Sequence, residues 1–229
     1  MSNSFRPKYE TAKTIYPDKK RIPLNRVINS KVNLYSDVSD GTNTKALKLA
    51  EHNLKEIEKQ LPPELELPKQ IAVVDLEKYF NKDAIGGYHN ETSILFINSK
   101  YDSNYKIINY LKRVKGEFSS IDYHAPYLHE LGHKYYYDSI TRLAKKQKVS
   151  YNKAIIDDKI YDWVHKHNNN GEFLSDILSI YADKGYRLKK YTEIVAEALA
   201  VQYNPDKRKK AIAREILDLL KGDKNDSFI

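Results

Sequence analysis

The sequence predicts an α+β fold. Short β-branched runs crowd residues 70–98, and every stretch after about residue 102 carries apolar residues at helical spacing. Strands first and helices after is the order expected of α+β rather than of alternating βαβ units. The chain has 229 residues, which suits one domain, or one domain with an arm.

Taken in order, residues 1–42 hold few apolar runs and many punctuating residues: Pro7, Pro17 and Pro23, then Ser36, Asp37, Ser39, Asp40 and Gly41. They read as an extended basic arm leading into a body over residues 43–229. From Thr44, Leu47, Ala50, Leu54, Ile57 and Leu61 recur at three-to-four spacing until Pro62-Pro63, the signature of an amphipathic helix. Residues 70–76 have a strand's composition. Residues 84–98 predict a hairpin around a His89-Asn90-Glu91 turn, the alternative being that Gly86-Gly87 marks a bulge or a close backbone approach. Helices are expected over about 103–114, 123–145, 151–167, 172–182, 190–203 and 206–221. Asn168-Asn169-Asn170-Gly171 reads as a loop, and Lys184-Gly185 as a helix C-cap.

Composition narrows the chemistry. With no Cys, the chain has no disulfide, no thiolate nucleophile and no Cys-ligated metal, so any ion must sit on His, Asp or Glu. The longest apolar runs, such as Ile94-Leu95-Phe96-Ile97, fall far short of the roughly 20 residues of a membrane span, so membrane insertion is not expected. The first residues lack the apolar stretch of a secretory signal, and a soluble, cytoplasmic protein is expected. Lys and Arg number 39 against 31 Asp and Glu, and the resulting +8 selects no partner by itself. Lys207-Arg208-Lys209-Lys210 has no interleaved aromatics to stack bases, so it reads as a solvated face rather than a nucleic-acid site.

The strongest signal is His129-Glu130-Leu131-Gly132-His133, an HExxH. On a helix, residues four apart share a face, so both imidazoles reach one ion while the Glu points towards a water on it. Pro126 suits a first helical turn after Asp122 or His124. A catalytic zinc takes three protein ligands and keeps one position open. The metzincin extension is excluded, because Tyr136 and Ser139 stand where Gly and His are required. Asp183 is one source of a third ligand; Glu193 is the better one. Glu193 and Glu197 lie four apart in an otherwise apolar helix whose Ala196, Ala198 and Ala200 permit close packing. Two carboxylates on such a face need compensation, which a metal and an imidazole N–H would supply.

HELGH followed by Glu193-x-x-Ala196-Glu197 resembles the gluzincin clan, specifically the group of anthrax lethal factor and the Pro-Pro endopeptidases, whose relatives include phage-encoded metallopeptidases. The resemblance spans about residues 84–203 and takes in Gly86-Gly87-Tyr88 and Ser179-Ile180-Tyr181-Ala182. It implies a zincin-like fold, with a small mixed sheet, an edge strand, an active-site helix and a mostly helical C-terminal half. It implies Zn2+ on His129, His133 and Glu193, Glu130 as general base, Glu197 orienting a ligand histidine, and Gly86, Gly87 and Tyr88 on the substrate-binding edge strand. The family also places an oxyanion-stabilising tyrosine before the ligand Glu. By spacing this is Tyr186, by the flanking Ser-x-Tyr-Ala it is Tyr181, and both stay open. The expected function is zinc-dependent hydrolysis of peptide bonds in a protein substrate, with phage or virion association compatible. The alternative is a catalytically silent zincin-fold binding or structural module.

Overall fold

The computed structural model describes residues 6–148 and 153–221. The chain divides into two compact units, residues 1–110 and 111–229.

The first unit holds all the strands among the described residues: β1 (Tyr9–Ile15), β2 (Ile22–Val27), β3 (Leu34–Ser36), β4 (Gln70–Val74), β5 (Gly86–His89) and β6 (Ile94–Asn98). They form one sheet in the order β1-β2-β3-β4-β6-β5. The pairs β3–β4 and β4–β6 are parallel and the rest antiparallel, so the sheet is mixed. Its central strands are apolar on both faces, as strands covered on two sides must be. Ala72, Val74, Ile94 and Phe96 join Ile15, Ile22 and Leu24 in one buried cluster. Tyr79 and Phe80 of the short helix α2 (Leu76–Phe80) pack against it. The amphipathic helix α1 (Thr44–Glu58) buries Leu47, Ala50, Leu54 and Ile57 and packs on β3 and β4.

Two sequence expectations change here. The stretch read as an arm supplies three of the six strands; only residues 1–5 of it lie outside the described residues. Its apolar residues are sparse, but Ile22, Leu24 and Val27 are buried along β2, with Pro23 and Arg26 exposed. Pro17 opens a short 3-10 turn and Pro23 sits in β2 opposite Thr14, so these prolines mark a turn and a strand position rather than an unstructured tract. The hairpin forms as expected but without a bulge. Gly86 and Gly87 pair in regular register with Ile97 and Phe96, and a Cβ on Gly87 would meet nothing within 4 Å.

α3 (Asn104–Arg113) runs across the boundary between the units. The second unit is helical: α4 (Ala125–Gln147), α5 (Ala154–Asn169), α6 (Leu174–Ile177), α7 (Ile180–Arg187), α8 (Thr192–Ala200) and α9 (Lys207–Asp218). The expected start of the fifth helix at residues 151–152 lies outside the described residues. The helix expected over 172–182 is two, broken at Leu178, and Ser179 caps the second by accepting from the Ala182 N–H at 3.0 Å. Gly185 does not end a helix. α7 continues to Arg187, and the glycine sits inside it because a Cβ there would lie 2.6 Å from the Cβ of Glu193. α8 is buried almost all round, from Ile194 to Ala200, and packs against α4, α7 and α9.

Candidate metal centre

α4 and α8 pack tightly where Gly132 meets Ala196. A Cβ on Gly132 would come within 2.5 Å of the Ala196 Cα, a separation no packed side chain tolerates, so the glycine of HELGH is a contact surface for α8. That approach brings the one-face histidines of α4 to the first turn of α8. His129 Nε2 and His133 Nε2 lie 3.2 Å apart, and Glu193 Oε2 lies 3.5 Å from the first and 3.4 Å from the second. Three bonds of 2.0–2.1 Å to one tetrahedral ion would set the ligand atoms about 3.3–3.4 Å from one another, and the observed triangle matches this. Among the described residues, this is the group of His, Asp and Glu arranged to hold an ion. Asp183, the other sequence candidate, pairs with Arg187 at 2.8 Å instead.

The outer nitrogens decide what the inner ones offer. His129 Nδ1 lies 2.7 Å from Glu197 Oε1, and His133 Nδ1 lies 2.8 Å from Thr192 Oγ1. A carboxylate can only accept, so His129 carries its proton on Nδ1 and turns the Nε2 lone pair inward. Glu197 is wholly buried, and its other oxygen accepts from the Ser119 N–H at 2.5 Å. Both oxygens of this buried charge are therefore satisfied, which is the condition for tolerating it. Glu193 differs: its Oε2 is buried and makes no hydrogen bond, an orphaned acceptor that a cation would satisfy. The residues present fit a divalent metal ion.

Electrostatics agree. Burial opposes charge on His129, but the flanking carboxylates of Glu193 and Glu197 prevail and hold its pKa well above the ordinary histidine value. Burial and the neighbouring His129 push His133 down. Glu193 stays below its ordinary value: burial works against ionisation, but His129 and His133 outweigh it. Metal binding at these groups therefore competes with protons.

Glu130 lies between the two histidines on α4, and its charge acts on both rings. Tyr181, at the start of α7, places its ring 5.6 Å from that of His129 and 5.4 Å from that of Phe118. Phe118 meets His129 edge-on at 6.1 Å. Tyr186 lies elsewhere on α7, between the rings of Tyr161 and Tyr191 at 6.1 and 6.3 Å. Gly86, Gly87 and Tyr88 form β5 in the first unit, the end strand of its sheet. His124 is a packed residue, bonded to Asp122 at 2.8 Å and stacked on Tyr203 at 4.3 Å.

Three participants escaped the sequence. Thr192 precedes Glu193 in the sequence but gives no sign there of reaching His133. Phe118 and Ser119 lie in an irregular stretch with no period to read. There the Gly116 and Glu117 carbonyls accept from the Ile180 and Tyr181 N–H groups at 3.2 and 2.8 Å, which ties the Tyr181 segment down next to the site.

A scan against protein-family models finds no match to this chain, and searches of curated proteins and of solved structures find none either.

Proposed function

We propose that this chain is a zinc-dependent endopeptidase of gluzincin type, with the zincin-like fold that the HELGH and Glu193-x-x-Ala196-Glu197 pair implies. The observation that carries the reading is the triangle of His129 Nε2, His133 Nε2 and Glu193 Oε2, with Glu130 borne on the same helix between the two histidines. A bound zinc ion supplies Lewis acidity and brings the pKa of a coordinated water down to about 7. His129, His133 and Glu193 would be its protein ligands, three being the number found in catalytic rather than structural zinc sites.

The protein's own groups do the rest. Glu130 takes the proton of the attacking water and returns it to the leaving amine. Tyr181, whose ring stands beside His129, is the tyrosine assigned to the developing oxyanion, a role in which loss of one donor costs about 3–4 kcal/mol. Tyr186, packed between two other tyrosines, is not needed for it. β5 ends its sheet, and a sheet edge is where an extended peptide adds as a strand, so Gly86, Gly87 and Tyr88 remain the proposed substrate-binding residues.

The test is cleavage of a peptide library by the zinc-loaded chain. Chelator-sensitive cleavage that vanishes in Glu130→Gln, with zinc retained in that variant, is the expected result. Cleavage at the wild-type rate in Glu130→Gln contradicts the mechanism. Zinc binding with no cleavage of any peptide would instead favour the silent binding module.

A further inference from the structure

We propose that Thr192 is the positioning residue for His133, so that α8 alone sets the orientation of both histidine rings as well as supplying the third ligand. The proposal rests on the metal site described above and concerns a side chain that the HExxH and ExxAE motifs leave out.

The geometry is specific. Thr192 Oγ1 lies 2.8 Å from His133 Nδ1, the ring nitrogen that faces away from the ligand triangle. His133 is largely buried, with 14 % of its side chain exposed, so little water competes for that nitrogen. Thr192 is the first residue of α8, where a hydroxyl often serves the helix's own backbone, yet no side chain caps this helix. The hydroxyl is instead directed at the ring. β-Branching restricts the Thr χ1 to few rotamers, so the oxygen is held there at little entropic cost.

The consequence concerns the tautomer. An imidazole can offer the Nε2 lone pair to a metal only if its proton sits on Nδ1, and a partner that accepts from Nδ1–H selects that form. For His129 the acceptor is the Glu197 carboxylate; for His133, once Nε2 faces a metal, the Thr192 hydroxyl is the group placed to accept. A charged acceptor enriches its ring more than a neutral one does, which makes His133 the weaker ligand of the pair and the one more dependent on alignment. Thr192, Glu193 and Glu197 thus act as a single clamp, and because all three stand on one helix their spacing cannot drift.

The test measures zinc affinity of the full chain by competition with a chelating dye and needs no substrate. Thr192→Val, which keeps the shape and deletes the hydroxyl, is expected to raise the zinc dissociation constant about 10-fold or more, and Thr192→Ser to restore it to within about 3-fold of wild type. Unchanged melting temperatures of the metal-free variants would show that the loss is local. In the zinc-loaded wild-type protein, long-range 1H–15N spectra are expected to show His133 protonated on Nδ1, with that proton slow to exchange. Wild-type zinc affinity in Thr192→Val, or rapid exchange of the His133 Nδ1 proton in the wild-type protein, overturns the role of Thr192 and leaves the metal site standing. Failure of the wild-type chain to take up zinc overturns both.

Discussion

At the scale of single residues, the site is defined by which oxygens are satisfied and which are not. Glu197 and Glu193 come from one helix, yet the first has two donors and the second has a buried oxygen with none. The satisfied carboxylate holds a ring, and the unsatisfied one is the proposed ligand. Substitution should separate the two roles. Glu197→Gln keeps the shape but weakens the acceptor for His129 Nδ1, and should reduce zinc affinity by about 10–100-fold without abolishing it. Glu193→Ala removes a ligand and should abolish stoichiometric uptake. A dye competition titration distinguishes these outcomes; equal effects of the two changes would contradict the assignment. Much of this was legible in the sequence, because an i, i+4 pair of histidines and an i, i+4 pair of glutamates each imply a shared helical face. Thr192 and Ser119 were not, since a hydroxyl or a backbone N–H reaching across the fold leaves no pattern in the chain.

At the scale of elements, glycines set the distance between helices. Gly132 lets α4 and α8 approach until backbone meets backbone, and Gly185 makes room on α7 for the Glu193 side chain. Gly132→Ala should destabilise the second unit by about 1–3 kcal/mol, the usual cost of overpacking, read as a lower urea midpoint at constant slope. Gly185→Ala presses on Glu193 itself and should weaken zinc binding while leaving the helix content measured by circular dichroism unchanged. From the sequence Gly185 reads as a helix end, because a glycine after a lysine looks the same whether it supplies a left-handed turn or room for a neighbour. The opposite error hid β1, β2 and β3. Along β2 the buried Ile22, Leu24 and Val27 are separated by exposed or half-exposed residues, β3 is only three residues long, and Pro23 resembles loop punctuation although a proline is tolerated at suitable strand positions.

At the scale of the molecule, the two units differ in construction. The first is a mixed sheet with helices packed on it, and the second is a helical array around α8. No helix among the described residues is long and apolar enough to cross a membrane. The net charge of +8 is partly spent within the fold. In the Lys207–Lys210 cluster, Arg208 pairs with Glu172 at 2.9 Å, and Lys209 donates to the Leu178 carbonyl at 2.7 Å. Half of that basic run therefore has an internal role. A metal that binds only the folded second unit must also stabilise it, by about 2.7 kcal/mol at a free concentration of 100 times the dissociation constant. Zinc should accordingly raise the melting temperature of the wild-type chain and leave that of Glu193→Ala unchanged.

The central claim, that α4 and α8 together hold a divalent ion, is tested most directly by metal content. The purified chain, stripped with chelator, resupplied with zinc and freed of excess by gel filtration, should carry roughly one zinc per molecule by mass spectrometric metal analysis, with Glu193→Ala and His133→Ala carrying none. A wild-type chain that emerges without zinc, or a Glu193→Ala variant that retains a full equivalent, would contradict it.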